Sequence, residues 1–169
     1  MDTKNKSEVL GLDFADTIWR EANSFAGGVY DPFAVGFFDK DALPAVLQLS
    51  RERFNTNIWV VSKVRESDEE FVRDELERVH FWQQLGIAVP QIRFCREHAD
   101  KAIICRELGV THFVDDRPAV LVAMEGVVPV RIKLTLSGLS SKSLAVDCRG
   151  IYHAESWAHI LRMLLPAPQ

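Results

Sequence analysis

Val9-Leu10-Gly11-Leu12-Asp13 is a short apolar run that stops on a carboxylate, and the same figure returns along the chain. Asn57-Ile58-Trp59-Val60-Val61 stops at Ser62. Gln91-Ile92-Arg93-Phe94 is a third run, Thr111-His112-Phe113-Val114 stops at Asp115-Asp116, and Val127 to Leu134 holds a fifth. β-Branched and aromatic residues dominate these runs, which predicts buried strands. Helical spacing fills the gaps. Asp39 to Phe54 carries Leu43, Val46, Leu47 and Leu49, with Asp39 or Asp41 at its start as a cap. Ser67-Asp68-Glu69-Glu70 has the spacing of a capping box and opens a helix with Phe71, Val72, Leu76, Val79, Trp82 and Leu85 on one face, stopped by Gly86 and Pro90. Asp100 to Leu108 is a shorter helix stopped by Gly109. Pro118 suits a first helical turn. Glu155 to Leu165 closes the chain with Trp157, Ile160, Leu161 and Leu164 inward.

Alternation of strand and helix predicts a three-layer, Rossmann-like α/β fold, a parallel sheet with helices on both faces. The expectation is one domain over 1–169, with 1–7 as a flexible polar tail. A chain of 169 residues buries roughly 70% of its extended surface on folding, enough for a core and a cleft. The composition, 47% hydrophobic and 26% charged, is globular. A net charge of −4 and a pI near 5.7 argue against a nucleic-acid partner. No apolar run has the length of a membrane span, so no membrane partner is expected. Cys95, Cys105 and Cys148 form no CxxC pair and read as reduced thiols of a cytoplasmic protein. None starts a Cys-x5-Arg loop, and the five histidines lack HExxH spacing.

In an open α/β sheet, ligands bind where the strands' carboxyl ends meet at a reversal of strand order. Three of the five strands end at Asp13, Ser62 and Asp115-Asp116, so those groups converge on one rim. Packed carboxylates repel unless a cation lies between them. Hard oxygen ligands without His or Cys suit Mg2+. Lys101, on the helix before the fourth strand, adds an ammonium. Carboxylate, hydroxyl, ammonium and a divalent cation are together what phosphoryl chemistry needs.

These residues, in this order, resemble the haloacid dehalogenase (HAD) superfamily. Leu10-Gly11-Leu12-Asp13-Phe14-Ala15-Asp16-Thr17-Ile18 is similar to its first motif, Ser62 to the second, Lys101 to the third, and Phe113-Val114-Asp115-Asp116 to the fourth in its double-aspartate form. Asp115-Asp116-Arg117-Pro118 before a helix also resembles the family's nucleotidase branch. The resemblance covers about residues 8–165. It implies Asp13 as a nucleophile that becomes an aspartyl-phosphate. It implies Mg2+ held by Asp13, the backbone carbonyl of Ala15 and Asp116, with Asp115 as a ligand or a partner behind the ligands. Ser62 and Lys101 would bind the phosphoryl oxygens, and Lys101 would also neutralise the carboxylates. The partner is then a phosphorylated substrate, small molecule or macromolecule.

The chain departs from the pattern where the family keeps its general acid. That position is Ala15, and the usual glycine is Asp16. Such an acid contributes about 10²–10⁴-fold, so its absence slows poor leaving groups and leaves metal binding standing. Alanine also occurs in the phosphonate-cleaving branch, where a cap domain supplies a lysine. About 40 residues separate Thr17 from Ile58, too few for such a cap. A capless member has an open site, which suits a large substrate, a protein partner or a second copy that covers it. The alternative function is a non-catalytic, regulatory Mg2+- and phosphate-binding module acting through protein partners. A response-regulator receiver uses similar groups, but there the acidic pair is on the first strand and the lysine comes last.

Several residues carry plainer readings as well. Ser62 alone is a loop hydroxyl and Lys101 a solvated helix lysine, while Lys63 and Arg65, after the second strand, read either as substrate contacts or as a solvated loop. Trp19, Phe25, Tyr30, Phe33, Phe37 and Phe38 with Gly27-Gly28 read either as a flap over the site or as core packing. The histidines are assigned no role.

Overall fold

The computed structural model describes residues 7–21, 36–136 and 149–167. In chain order the described elements are β1 (Leu10–Leu12), β2 (Trp19–Glu21), β3 (Gly36–Phe38), α1 (Ala42–Leu49), β4 (Ile58–Lys63), α2 (Glu69–Arg78), α3 (Phe81–Gln84), β5 (Ile92–Cys95), α4 (Asp100–Leu108), β6 (His112–Asp115), α5 (Pro118–Ala123), β7 (Val130–Leu134), β8 (Tyr152–Ala154) and α6 (Trp157–Leu164). Six strands pair in parallel in the order β5-β4-β1-β6-β7-β8. Counting only those six, the order is third, second, first, fourth, fifth, sixth, the doubly wound arrangement of a Rossmann-like fold. The direction of winding reverses between β1 and β6.

Alternation along the strands sorts the core into two layers. Leu10, Leu12, Ile58, Val60, Val114, Ile132 and Leu134 face α1, α2 and α6, while Val61 and Phe113 face α4 and α5. Gly11 points to the second layer. A Cβ there would lie 2.4 Å from Cδ2 of Phe113, so the missing side chain lets that ring cross from β6 over β1. The three-layer α/β expectation is met. No helix among the described residues is long and apolar enough to cross a membrane.

At the helix starts the structure differs from the sequence reading. Asp39, not Asp41, shapes the entry to α1: its Oδ1 accepts from the Asp41 amide at 3.0 Å. The helix continues past Leu49 as one π-helical turn over Ser50–Phe54, ended by Asn55 in the left-handed region. The capping box does not form. A 3-10 turn spans Glu66–Asp68, and no side chain caps α2; Ser67 Oγ instead bonds Asp68 Oδ1 at 3.0 Å, and Arg65 pairs with the same carboxylate. The single helix expected up to Leu85 breaks at Val79–His80. His80 takes φ 51° and redirects the chain into α3. Beyond the turn, Phe81 and Trp82 at the start of α3 are both buried. Phe71 is 44% exposed rather than inward. β2, β3 and β8 are strands that the sequence reading lacked.

β2 and β3 form an antiparallel hairpin, with Trp19 opposite Phe38. Trp19 stacks on Phe14, with ring centroids 5.5 Å apart, and Phe38 packs between Phe14 and Phe81. Those aromatics are therefore core, while Phe37 is exposed. Phe25, Tyr30, Phe33, Gly27-Gly28 and Cys148 lie outside the described residues, as does the expected tail apart from Ser7. Cys95 and Cys105 are buried free thiols.

Candidate metal centre

Asp13 follows β1 and Asp115 ends β6, on the two strands that flank the reversal of order. Leu12 pairs with Val114, and the Asp13 amide donates to the Val114 carbonyl at 3.0 Å, which sets the two carboxylates side by side on the α4 face. α4 brings Lys101 onto them. Its Nζ lies 2.7 Å from Asp13 Oδ1 and 2.8 Å from Asp115 Oδ2, and the side chain is 1% exposed. The Phe113 ring lies under the ammonium, 5.7 Å from Nζ to centroid. Gly11, Phe113 and Lys101 thus form one stacked arrangement beneath the carboxylates.

Asp115 has both oxygens engaged. Oδ2 takes Lys101 and Oδ1 accepts the Arg117 amide at 2.8 Å. Asp116 does not: its Oδ1 is buried with no hydrogen-bond partner among the described residues. Ligand atoms of Asp13, Asp115 and Asp116 lie within 4.8 Å of one another. Burial raises Asp13 to about 6, against the pull of Lys101 and with the push of Asp115. Burial, then the charges of Asp115 and Asp13, raises Asp116 to about 8. Lys101 is raised too: burial alone would lower it, but the two facing carboxylates outweigh that. Three carboxylates thus share a single ammonium, and one carboxylate oxygen is stranded. That set fits a hard divalent cation, which would supply both the missing charge and a partner for Asp116.

The loop after Asp13 is tight. The Phe14 carbonyl accepts from the amides of Thr17, Ile18 and Trp19, and Asp16 sits at φ 57°. Ala15 is exposed, and no backbone hydrogen bond among the described residues reaches its carbonyl. The Thr17 backbone carbonyl accepts from Trp157 Nε1 at 3.3 Å, and the buried Thr17 Oγ1 has no hydrogen-bond partner among the described residues. The structure therefore brings Asp13, Lys101, Asp115 and Asp116 together, with Ala15 beside them. Ser62 is buried near the end of β4, opposite Phe94, and is hydrogen-bonded to none of the four.

Three residues stand at the mouth of this site: Lys63, for which the sequence offered a substrate contact or a solvated loop, and Arg117 and His98, to which it assigned no role of their own. Lys63 follows Ser62, Arg117 follows Asp116, and His98 stands one helical turn before Lys101, whose amide donates to the His98 carbonyl at 3.3 Å. The spacing from Lys101 was the available signal for His98.

No protein-family model matches this sequence, and no curated protein matches it. Among solved structures, the solution NMR structure of a de novo designed Rossmann 3x3 fold protein is 12% identical. The match covers 94% of this chain and 96% of that one, with a TM-score of 0.43. The fold assignment rests on the strand order and layers above.

Proposed function

We propose that this chain is a magnesium-dependent phosphohydrolase of the HAD type, working through an aspartyl-phosphate on Asp13 and slowed by Ala15. The observation that carries the reading is the stranded Asp116 oxygen, buried beside Asp13 and Asp115 where the sheet reverses its order. Asp13, the Ala15 carbonyl and Asp116 would hold Mg2+, and Asp115 would fix Lys101 from behind. The cation, when bound, offsets the charge gathered around the phosphoryl group.

The chain's own groups then do the following. A carboxylate oxygen of Asp13 attacks phosphorus, and the bond from phosphorus to the ester oxygen breaks. The leaving oxygen departs with the electron pair and takes its proton from water, because Ala15 has none to give. Lys101 and Ser62 donate to the phosphoryl oxygens. Water next attacks phosphorus, the bond to Asp13 breaks, and orthophosphate leaves. Aryl and acyl phosphates, whose leaving groups need no proton, are the favoured substrates. A capless member would leave this rim open to a phosphorylated small molecule or macromolecule, a protein partner or a second copy.

The second reading, a non-catalytic Mg2+- and phosphate-binding module acting through protein partners, is favoured by one observation: the acid position is an exposed alanine. Hydrolysis of p-nitrophenyl phosphate with Mg2+ separates the two. Activity is expected in the native chain and at background in Asp13→Asn. Ala15→Asp should raise kcat on alkyl esters by about 10²-fold or more. Activity that survives Asp13→Asn overturns the nucleophile. Mg2+ uptake without turnover of any phosphate ester or acyl phosphate favours the module.

A further inference from the structure

We propose that Lys63, His98 and Arg117 form a second anion subsite at the lip of the carboxylate cluster, so that the substrate carries two anionic groups. This rests on the reading of that cluster as a phosphoryl site, and names the class of substrate it takes.

The three residues come from three separate elements: the end of β4, the approach to α4 and the start of α5. The topology gathers them at one place. β4 and β5 pair so that Lys63 lies opposite Cys95, three residues before His98. Arg117 is tied to the cluster by its own amide, which donates to Asp115 Oδ1 at 2.8 Å. Their mutual influence is visible at His98. Burial, then the charges of Arg117, Lys63 and Lys101, hold its imidazole below the ordinary value, with Asp13 pulling weakly the other way.

Two further observations point to a ligand. His98 Nδ1 is buried and has no hydrogen-bond partner among the described residues. Lys63 and Arg117 are both exposed, and neither forms an ion pair among the described residues. Most arginines near this rim are satisfied: Arg65 holds Asp68 and Arg96 holds Glu69. On a chain of net charge −4, two uncommitted cations beside an acidic cluster are complementary to an anion, and the neutral His98 imidazole adds a donor in the tautomer that carries its proton on Nδ1. That anion is not the transferred phosphoryl group alone. Lys101, the cation that would meet it, lies deeper and is held between Asp13 and Asp115. Lys63 and Arg117 remain for a group further out. A second phosphate or a carboxylate on the same small molecule satisfies this chemistry.

The test is a set of binding isotherms on the full chain at neutral pH, with and without Mg2+. The probes are methylphosphonate, methylenediphosphonate and phosphonoacetate. Methylenediphosphonate or phosphonoacetate should bind at least about tenfold tighter than methylphosphonate, equivalent to about 1.4 kcal/mol. The better of the two identifies the outer group as phosphate or carboxylate. In Lys63→Met/Arg117→Met the advantage should fall to about twofold or less, with circular dichroism unchanged. Equal affinities in the native chain, or an advantage that survives the double replacement, overturns the subsite. Mg2+ uptake, titrated in the same samples, reports separately on the carboxylate cluster. Its absence beside a retained two-anion advantage in the Mg2+-free arm would overturn the metal reading and leave the subsite standing.

Discussion

Lys101 is the residue on which the carboxylate cluster balances. A buried lysine is rare unless paired, and this one is paired twice, within 2.8 Å of Asp13 and Asp115. Removing one partner from a buried ion pair leaves an uncompensated charge and costs about 3–5 kcal/mol. Lys101→Met keeps the length and apolar stem of the side chain but strips Asp13 and Asp115 of their shared cation. In urea denaturation at neutral pH without metal, we expect a loss within that range. Saturating Mg2+ should recover a good part of it, because the ion supplies charge at the same carboxylates. A variant within about 1 kcal/mol of the native chain in the absence of metal would show that the ammonium is not what holds the cluster. Asp13 and the aspartate doublet were legible in the sequence because each closes an apolar strand. The depth of Lys101 was not, since its helix carries charged neighbours that read as a solvated face. The division of labour within the doublet was half legible: the resemblance implied Asp116 as a ligand and left Asp115 as a ligand or a partner behind the ligands. Which aspartate anchors and which is stranded depends on the Arg117 amide, a backbone contact that no side-chain pattern records.

The β2–β3 hairpin shows where sequence patterns stop carrying information about elements. Strands β1, β4, β5, β6 and β7 are runs of apolar residues long enough to show a bias, and each was read. β1 is only three residues, but Val9 extends its apolar run; β2 (Trp19-Arg20-Glu21) and β8 (Tyr152-His153-Ala154) carry polar or charged residues, and β3 (Gly36-Phe37-Phe38) opens on a glycine, so none of these three shows such a run. The break between α2 and α3 was hidden for a related reason: both halves are apolar on a compatible face, and nothing in the periodicity marks the left-handed turn at His80. The hairpin is held by Trp19. Its ring stacks on Phe14, meets Phe71 edge-on at 5.5 Å, and donates Nε1–H to Glu75 Oε2 at 2.9 Å. Gly36 makes this possible, because a Cβ there would stand 1.6 Å from the Trp19 ring. The obstacle is a rigid indole wedged between neighbours, not a flexible tip. Gly36→Ala should therefore displace the ring and cost about 1–3 kcal/mol, the range for overpacking. The displaced indole should shift the tryptophan emission to the red. Full stability with native emission would mean that the strand slides to make room, and that the hairpin is looser than its contacts imply. Because Phe14 follows Asp13 directly, the same variant reports on whether hairpin packing sets the nucleophile's loop: Mg2+ affinity should fall with the stability.

Across the whole molecule, the two ends of the sheet respond to pH with opposite signs. At the amino ends of the strands, His112 is buried against Phe54, with Nδ1 2.8 Å from Thr111 Oγ1. Arg53 grips Glu8 beside it through two bonds of 2.8 Å. Burial, helped by the Arg53 charge, pushes His112 from 6.5 down to about 4. The folded state therefore binds fewer protons than the unfolded one in that window, and stability is lost as pH falls through it, on the order of 2–3 kcal/mol. Glu8, lowered by its bond to Arg53, acts with the same sign. At the carboxyl ends, Asp13 is raised to about 6 and Asp116 to about 8, both chiefly by burial. There the folded state binds more protons, so this contribution is full below the ordinary aspartate value and is lost as pH rises through 6 and 8. Between pH 4 and 6 the two aspartates outweigh the one histidine, so the urea midpoint of the metal-free chain should fall as pH rises from about 4 to 8, with His112 offsetting part of the loss below 6.5. The two contributions are separable. His112→Gln should steepen the fall below pH 6.5 and leave it unchanged above. Saturating Mg2+ should abolish the fall and expose the histidine's rise between pH 4 and 6.5, because a cation among the carboxylates makes their charged form the favoured one. A fall that is present but indifferent to Mg2+ would place the cation elsewhere, and the reading of Asp13, Asp115 and Asp116 as one metal centre would fall with it.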